Sequence, residues 1–206
     1  MLKNILIVST ALSLFPVASH ASDETSFYIT ARGGPAFFGG SEIGPSGSSI
    51  TFEYETGYSF TGAIGYRFDL GTDALSLRTE FEGGYASAGI SEATQFGFTF
   101  SNLGDINISR YMGNAILDIP ITESFYTYWG VGLGYAVTEL ELNGGFEDSG
   151  GEFAYQGMIG IGYNILENLS IELGWKAYSS LEPEIGGVDF DTPLVNQAEL
   201  GIQYKF

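Results

Sequence analysis

Residues 75–85 read Leu-Ser-Leu-Arg-Thr-Glu-Phe-Glu-Gly-Gly-Tyr. Leu75, Leu77, Phe81 and Tyr85 fall on one parity, and Arg78, Glu80 and Glu82 fall on the other. Period-two alternation belongs to a β-strand with two unlike faces. One face is apolar and aromatic, the other charged, and the fold turns on which of them looks outward.

The same pattern recurs along the chain. A first candidate strand spans 27–38, with Phe27, Ile29 and Ala31 on one parity, and a second spans 59–70, with Phe60, Ile64, Tyr66, Phe68 and Leu70. The stretch around Arg78 is the third. Tyr111, Ala115, Leu117 and Ile119 mark a fourth, and Phe125, Trp129, Val131, Leu133, Tyr135 and Val137 a fifth. Phe153, Tyr155, Ile159, Ile161, Tyr163 and Ile165 mark a sixth, and Leu169, Ile171, Leu173, Trp175 and Ala177 a seventh. The closing QAELGIQYKF, residues 197–206, makes eight. Helical spacing fits none of them. Tight turns at 69–74, 120–123 and 164–168 alternate with long connections at 39–58, 86–105, 139–152 and 179–196. Alternating short and long connections describe an up-and-down meander.

The charged parity gives the meander its direction. Arg32, Arg67, Arg78, Arg110, Lys176 and Lys205 all sit opposite their strand's apolar residues, as do Asp69, Glu80, Glu82, Asp118, Glu172 and Glu199. A soluble barrel is built the other way, apolar within and charged without. Here the apolar face has to look into lipid while the charges pair inside as a lumen ion-pair network. In hydrocarbon every backbone polar group must be satisfied, so a strand-only chain must close into a barrel. Tyr28, Tyr66, Tyr85, Trp129, Tyr163, Trp175 and Tyr204 are the expected interfacial aromatics. The glycines at 130, 132, 134, 160, 162, 174 and 201 are expected to face inward and make room for arginine side chains. Pro35, which cannot donate to a closed ladder, is expected at a bulge or above the bilayer.

Composition agrees. The 206 residues include 30 Gly and no Cys, 15% are aromatic and only 16% charged. A positive Lys3, an apolar run over 5–15 and Ser19-His20-Ala21 read as a secretory signal peptide over residues 1–21, leaving 22–206 as the barrel domain. The apolar run falls short of the ~18–20 residues of a spanning helix. His20 is the only histidine, so cleavage leaves a chain with neither His nor Cys.

The eight alternating strands, the leader and the ending Tyr204-Lys205-Phe206 together resemble the small outer-membrane barrels of Gram-negative bacteria, the class of the OmpA transmembrane domain, OmpX and OmpW. The stretch 114–136, with Pro120 at a turn and Gly130-Val131-Gly132-Leu133-Gly134 after it, looks like the central hairpin of porin-like surface barrels. The resemblance implies an all-β, eight-stranded antiparallel up-and-down transmembrane β-barrel with short periplasmic turns and long extracellular loops. It also implies that Leu200, Ile202, Tyr204 and Phe206 form the signal read by the barrel-assembly machinery, and that outer-membrane lipid and lipopolysaccharide surround the barrel.

Function narrows accordingly. The resemblance implies that the barrel enzymes of this class rely on a histidine, and none is left here after maturation, so no catalytic residue and no cofactor is expected. The period-two glycines at 130–134 lack the helix that holds a phosphate in nucleotide-binding loops. The long connections carry Glu42, Glu53, Glu55, Glu92, Asp105, Glu139, Glu141, Glu147, Asp148, Glu152, Glu182, Glu184, Asp189 and Asp191 without one Lys or Arg, and the formal charge is −18. Such a rim repels nucleic acid. Divalent cations could bridge Asp189 with Asp191, or Glu147, Asp148 and Glu152, but neither cluster has the spacing of a calcium-binding loop, and no metal site is expected. Eight strands enclose a lumen that side chains can fill. The expected role is a non-enzymatic surface or structural barrel whose loops could take an extracellular ligand. The alternative is a narrow channel or lateral-diffusion path for small solutes.

Overall fold

The structure, a computed structural model, describes residues 25–43, 50–70, 75–95, 98–143, 146–181, 184–185, 188–189 and 193–206. The signal-peptide stretch and Asp191 lie outside them, and Glu147, Asp148 and Asp189 are described by their backbone alone. Among the described residues twelve strands form: β1 (Thr25–Phe38), β2 (Ser41–Ile43), β3 (Ile50–Tyr54), β4 (Gly57–Asp69), β5 (Ser76–Gln95), β6 (Phe98–Pro120), β7 (Phe125–Leu142), β8 (Phe146–Leu166), β9 (Leu169–Ser180), β10 (Glu184–Ile185), β11 (Val188–Asp189) and β12 (Val195–Lys205). Eight of them close a ring in the order β1, β4, β5, β6, β7, β8, β9, β12, with every pairing antiparallel. β12 returns to β1 with Tyr28 opposite Lys205 and Phe38 opposite Val195, which leaves the ring no edge at the level of the membrane.

The apolar face is outside. Phe60, Trp129, Val131, Leu133 and Leu200 are each more than half exposed, whereas Arg78, Arg110, Glu82 and Glu172 are fully buried. This inversion of the soluble rule is the pattern of strands solvated by lipid.

Two of the long connections are strand instead. β5 and β6 have 20 and 23 residues, about twice the ~9–11 that a tilted strand needs to cross a bilayer. They pair all the way to Gln95 opposite Phe98, and β7 and β8 to Leu142 opposite Phe146. The lipid-facing alternation stops near Tyr85 and Tyr135, but period two continues with its faces exchanged. Ala86, Ala88, Ile90, Ile106, Ile108 and Leu140 point inward and are buried, while Glu92, Asp105, Glu139 and Glu141 point out into water. Above the membrane the solvent is water, so the sheet reverts to the soluble arrangement. The connection at 39–58 carries β2 and β3, and β3 pairs with β5 over the mouth of the barrel. The connection at 179–196 carries the two-stranded β10–β11.

Pro35 sits within β1, and no bulge forms there. The pairing with β12 skips Gly34 and Pro35, then resumes in the same register, Gly33 opposite Leu200 and Ala36 opposite Gln197. The missing N–H costs a rung without inserting a residue. A register shift does occur between Ile90 and Glu92, where Gly104 of the partner strand has φ 144°.

Candidate functional site: the occluded lumen

Inward parity on neighbouring strands brings charges of opposite sign to one level. At the periplasmic end Arg67 Nη2 lies 2.7 Å from Asp118 Oδ2, and Arg78 Nη2 lies 2.9 Å from Asp118 Oδ1. Arg78 Nη1 is 2.8 Å from Glu172 Oε1, whose second oxygen is 3.0 Å from Arg32 Nη2. The same Arg32 nitrogen reaches Glu80 Oε1 at 2.9 Å. Tyrosines complete this tier. The Tyr28 hydroxyl donates to Glu80 at 3.0 Å, Tyr126 donates to Glu172 at 3.0 Å, and the Arg78 guanidinium lies 5.3 Å from the centre of the Tyr128 ring.

A second tier lies above. Lys176 Nζ is 2.9 Å from Glu82 Oε2 and 3.2 Å from Glu199 Oε2. Arg110 donates to Gln197 at 2.8 Å, approaches Glu82 at 3.5 Å and stacks its guanidinium 4.8 Å from the Tyr178 ring centre. Asn114 and Gln156 link β6 and β8 to Glu82 and to each other. Asp118, Glu172, Glu80 and Glu82 each face more than one donor, which is what a charge buried away from water requires, whereas Glu199 is held by Lys176 alone at close range.

The third tier is apolar and had no counterpart in the expected network. Ile90, Ile106, Ile108, Met112, Leu140 and Val195 pack as a single buried cluster, covered by Phe52 of β3 with Ile50, Tyr54 and Phe38 against it. The Tyr54 hydroxyl shares a hydrogen bond of 2.5 Å with Ser41 Oγ, and burial pushes that tyrosine above its ordinary value to about 12. The lumen is therefore filled with ion pairs below and oil-like side chains above.

Four expectations need correction. Asp69 lies on the inward parity at the last rung of β4, opposite Ser76, where it is exposed and makes no ion pair among the described residues. Lys205, likewise at the periplasmic rim, is half-buried and makes no ion pair among the described residues. Tyr28 is no interfacial aromatic: it is fully buried in the lumen, as its parity opposite Phe27 and Ile29 requires. The inward glycines serve tyrosines more than arginines. A Cβ at Gly160 or Gly174 would strike Tyr128, and one at Gly162 would strike Tyr126, while Gly84 and Gly201 make room for Arg110 and Arg32. Tyr126, Tyr128, Tyr178, Asn114, Gln156, Gln197 and Gln203 also lie buried in the lumen, and their inward parity was the signal that could have found them. Leu200, Ile202, Tyr204 and Phe206 all face outward, with Phe206 72% exposed at the strand's end.

A family model for the outer membrane protein β-barrel domain matches residues 7–206. The chain belongs to the outer membrane protein β-barrel family. Members of this family are proteins of the bacterial outer membrane, and the ring of eight strands with its lipid-facing apolar surface is that location expressed as structure. A curated relative, an outer membrane protein of Gluconacetobacter diazotrophicus, is 26% identical over 254 aligned residues, covering all of this chain. The chain spans 64% of that relative's length. Among solved structures the barrel is similar to Neisserial surface protein A, at 17% identity and a TM-score of 0.59, over 88% of this chain and 99% of that one. It is also similar to Ail of Yersinia pestis, at 18% identity and a TM-score of 0.43, over 89% and 98%. At these identities the likeness concerns the fold.

Proposed function

We propose that this outer-membrane barrel is a non-enzymatic, non-conducting element that holds an acidic extracellular sheet above the membrane, in a structural or surface-interaction role. The observation that carries this reading is the double closure of the lumen. Two tiers of ion pairs span it, and an apolar cluster capped by β3 lies over them. Hydrated ions would have to break paired charges and then cross a dry layer, and hydrophobic constrictions of that kind hold pores shut. The buried carboxylates of the lumen are held by arginine or lysine, which leaves none of them free to act as a general base beside a nucleophile there. In this reading residues 1–21 are the cleaved leader, the outward Leu200, Ile202, Tyr204 and Phe206 are read by the barrel-assembly machinery, and lipid and lipopolysaccharide surround the wall.

Planar-bilayer recordings of the purified barrel, paired with a binding screen against host and matrix ligands, test it. The expected outcome is ligand capture without single-channel steps. Reproducible conductance would replace this reading with a narrow path for small solutes.

A further inference from the structure

Strand lengths do not match above the membrane. β7 leaves β6 at Gly104 opposite Leu142, and one more backbone bond, from the Asn143 N–H to the Leu103 carbonyl, closes that pairing. β6 continues to Phe98 with β5 on one side, held to the tip by Thr99 opposite Thr94 and a 3.1 Å bond between their hydroxyls. On its other side residues 98–102 meet no strand among the described residues. Among the described residues they form an unpaired sheet edge in line with β7, above the membrane.

Proteins ordinarily blunt such an edge with lysine, proline or a covering loop. This one reads Phe-Thr-Phe-Ser-Asn, with strand-favouring residues and no charge. Phe98 and Phe100 are 70% and 59% exposed, and Phe100 lies opposite the buried Ala93 of β5. An added strand would therefore gain ladder bonds and two aromatic side chains to cover.

Charge decides what the added strand is. Ser101 lies opposite Glu92, Glu92 lies opposite Glu53, and Asp105 lies opposite Glu141 on the flanking strands. A second copy of this acidic chain would bring the same carboxylates against them. A cationic segment would neutralise them.

We propose that residues 98–102 of β6 are a docking edge for an extended, cationic polypeptide segment, which joins the sheet as an added strand and covers Phe98 and Phe100. The proposal rests on the surface-interaction reading and names its partner class. Strand addition of this kind takes affinity from main-chain bonds and selectivity from alternate side chains.

The probe is a short alternating lysine–valine peptide titrated onto the full chain folded in detergent. Saturable binding is expected, with none for the glutamate–valine counterpart. A backbone N-methylated lysine–valine peptide should bind about tenfold more weakly or worse, since it loses ladder bonds but keeps every charge. Phe100→Lys, which puts a charge on the edge without touching the barrel, should also weaken binding about tenfold, with gel mobility and unfolding unchanged. Equal binding by the N-methylated peptide, or by Phe100→Lys, would reduce the effect to diffuse attraction by the rim and overturn the proposal. So would self-association through this edge in place of peptide capture. Conductance in bilayers would sink the non-conducting reading while leaving these titrations to stand or fall separately.

Discussion

Arg78 touches three other strands at once: Asp118 on β6, Glu172 on β9 and Gln203 on β12. Removing it takes a cation from three buried carboxylates, Asp118, Glu172 and Glu80, so Arg78→Ala should cost about 3–5 kcal/mol. The urea midpoint of the detergent-folded protein would report it, and an unchanged midpoint would show that the lower tier does not hold the strands together. Lys205→Ala is the control. That side chain is half-buried at the periplasmic rim without an ion pair among the described residues, so its loss should stay within about 0.5 kcal/mol. These two cations look alike in the sequence, each opposite its strand's apolar face. They differ in height along the barrel axis, and that height follows from the register of strands far apart in the chain.

Glycines separate in the same way at the scale of the strand. Gly34 of β1 lies so close to the Ala198 carbonyl of β12 that a methyl group there would overlap the backbone, whereas Gly62 of β4 has nothing within 4 Å of an added Cβ. Gly34→Ala should therefore destabilise the closing seam by about 1–3 kcal/mol. Gly62→Ala, facing outward, should instead stabilise by about 0.5–1 kcal/mol through its smaller unfolded-state freedom. Paired unfolding curves decide both, and equal midpoints for the two variants would contradict the seam geometry. The last strand carries a different expectation. Phe206 packs its ring 5.1 Å from Tyr204 and 6.1 Å from Phe27 but stays mostly exposed, so Phe206→Ala should leave the refolded barrel within about 0.5 kcal/mol of wild type. Its yield in the outer membrane of cells should fall sharply, if the terminus is an address for assembly. Equal yield would rule that role out.

On the whole molecule, the acidic extension sets like charges face to face on a rigid sheet, Glu53 opposite Glu92 and Asp105 opposite Glu141. Pairs of this kind repel one another, and salt screens them, with a Debye length of about 10 Å at 0.1 M. Protease protection of the extracellular part should rise gradually with calcium, and sodium chloride at higher ionic strength should reproduce the rise. A saturable calcium response that sodium cannot mimic would reveal a true cation site. Much of this architecture is written in period two. A strand such as 75–85 carries its lipid face and its lumen face in alternate residues, because each Cβ of a strand points opposite to the last, and no tertiary information is needed to see it. The count of eight strands, the outward apolar face and the inward placement of Arg32, Arg78, Arg110, Lys176, Glu80, Glu82, Glu172 and Glu199 follow from the chain alone. Which arginine meets which carboxylate does not, because partners such as Arg78 and Glu172 lie on strands that are not neighbours and meet only across a closed lumen. Nor do the apolar upper tier and the free edge of β6, since Ile90 and Ile106 become a seal, and residues 98–102 an open rung, only once the solvent outside has changed from lipid to water and each strand has a neighbour of a definite length.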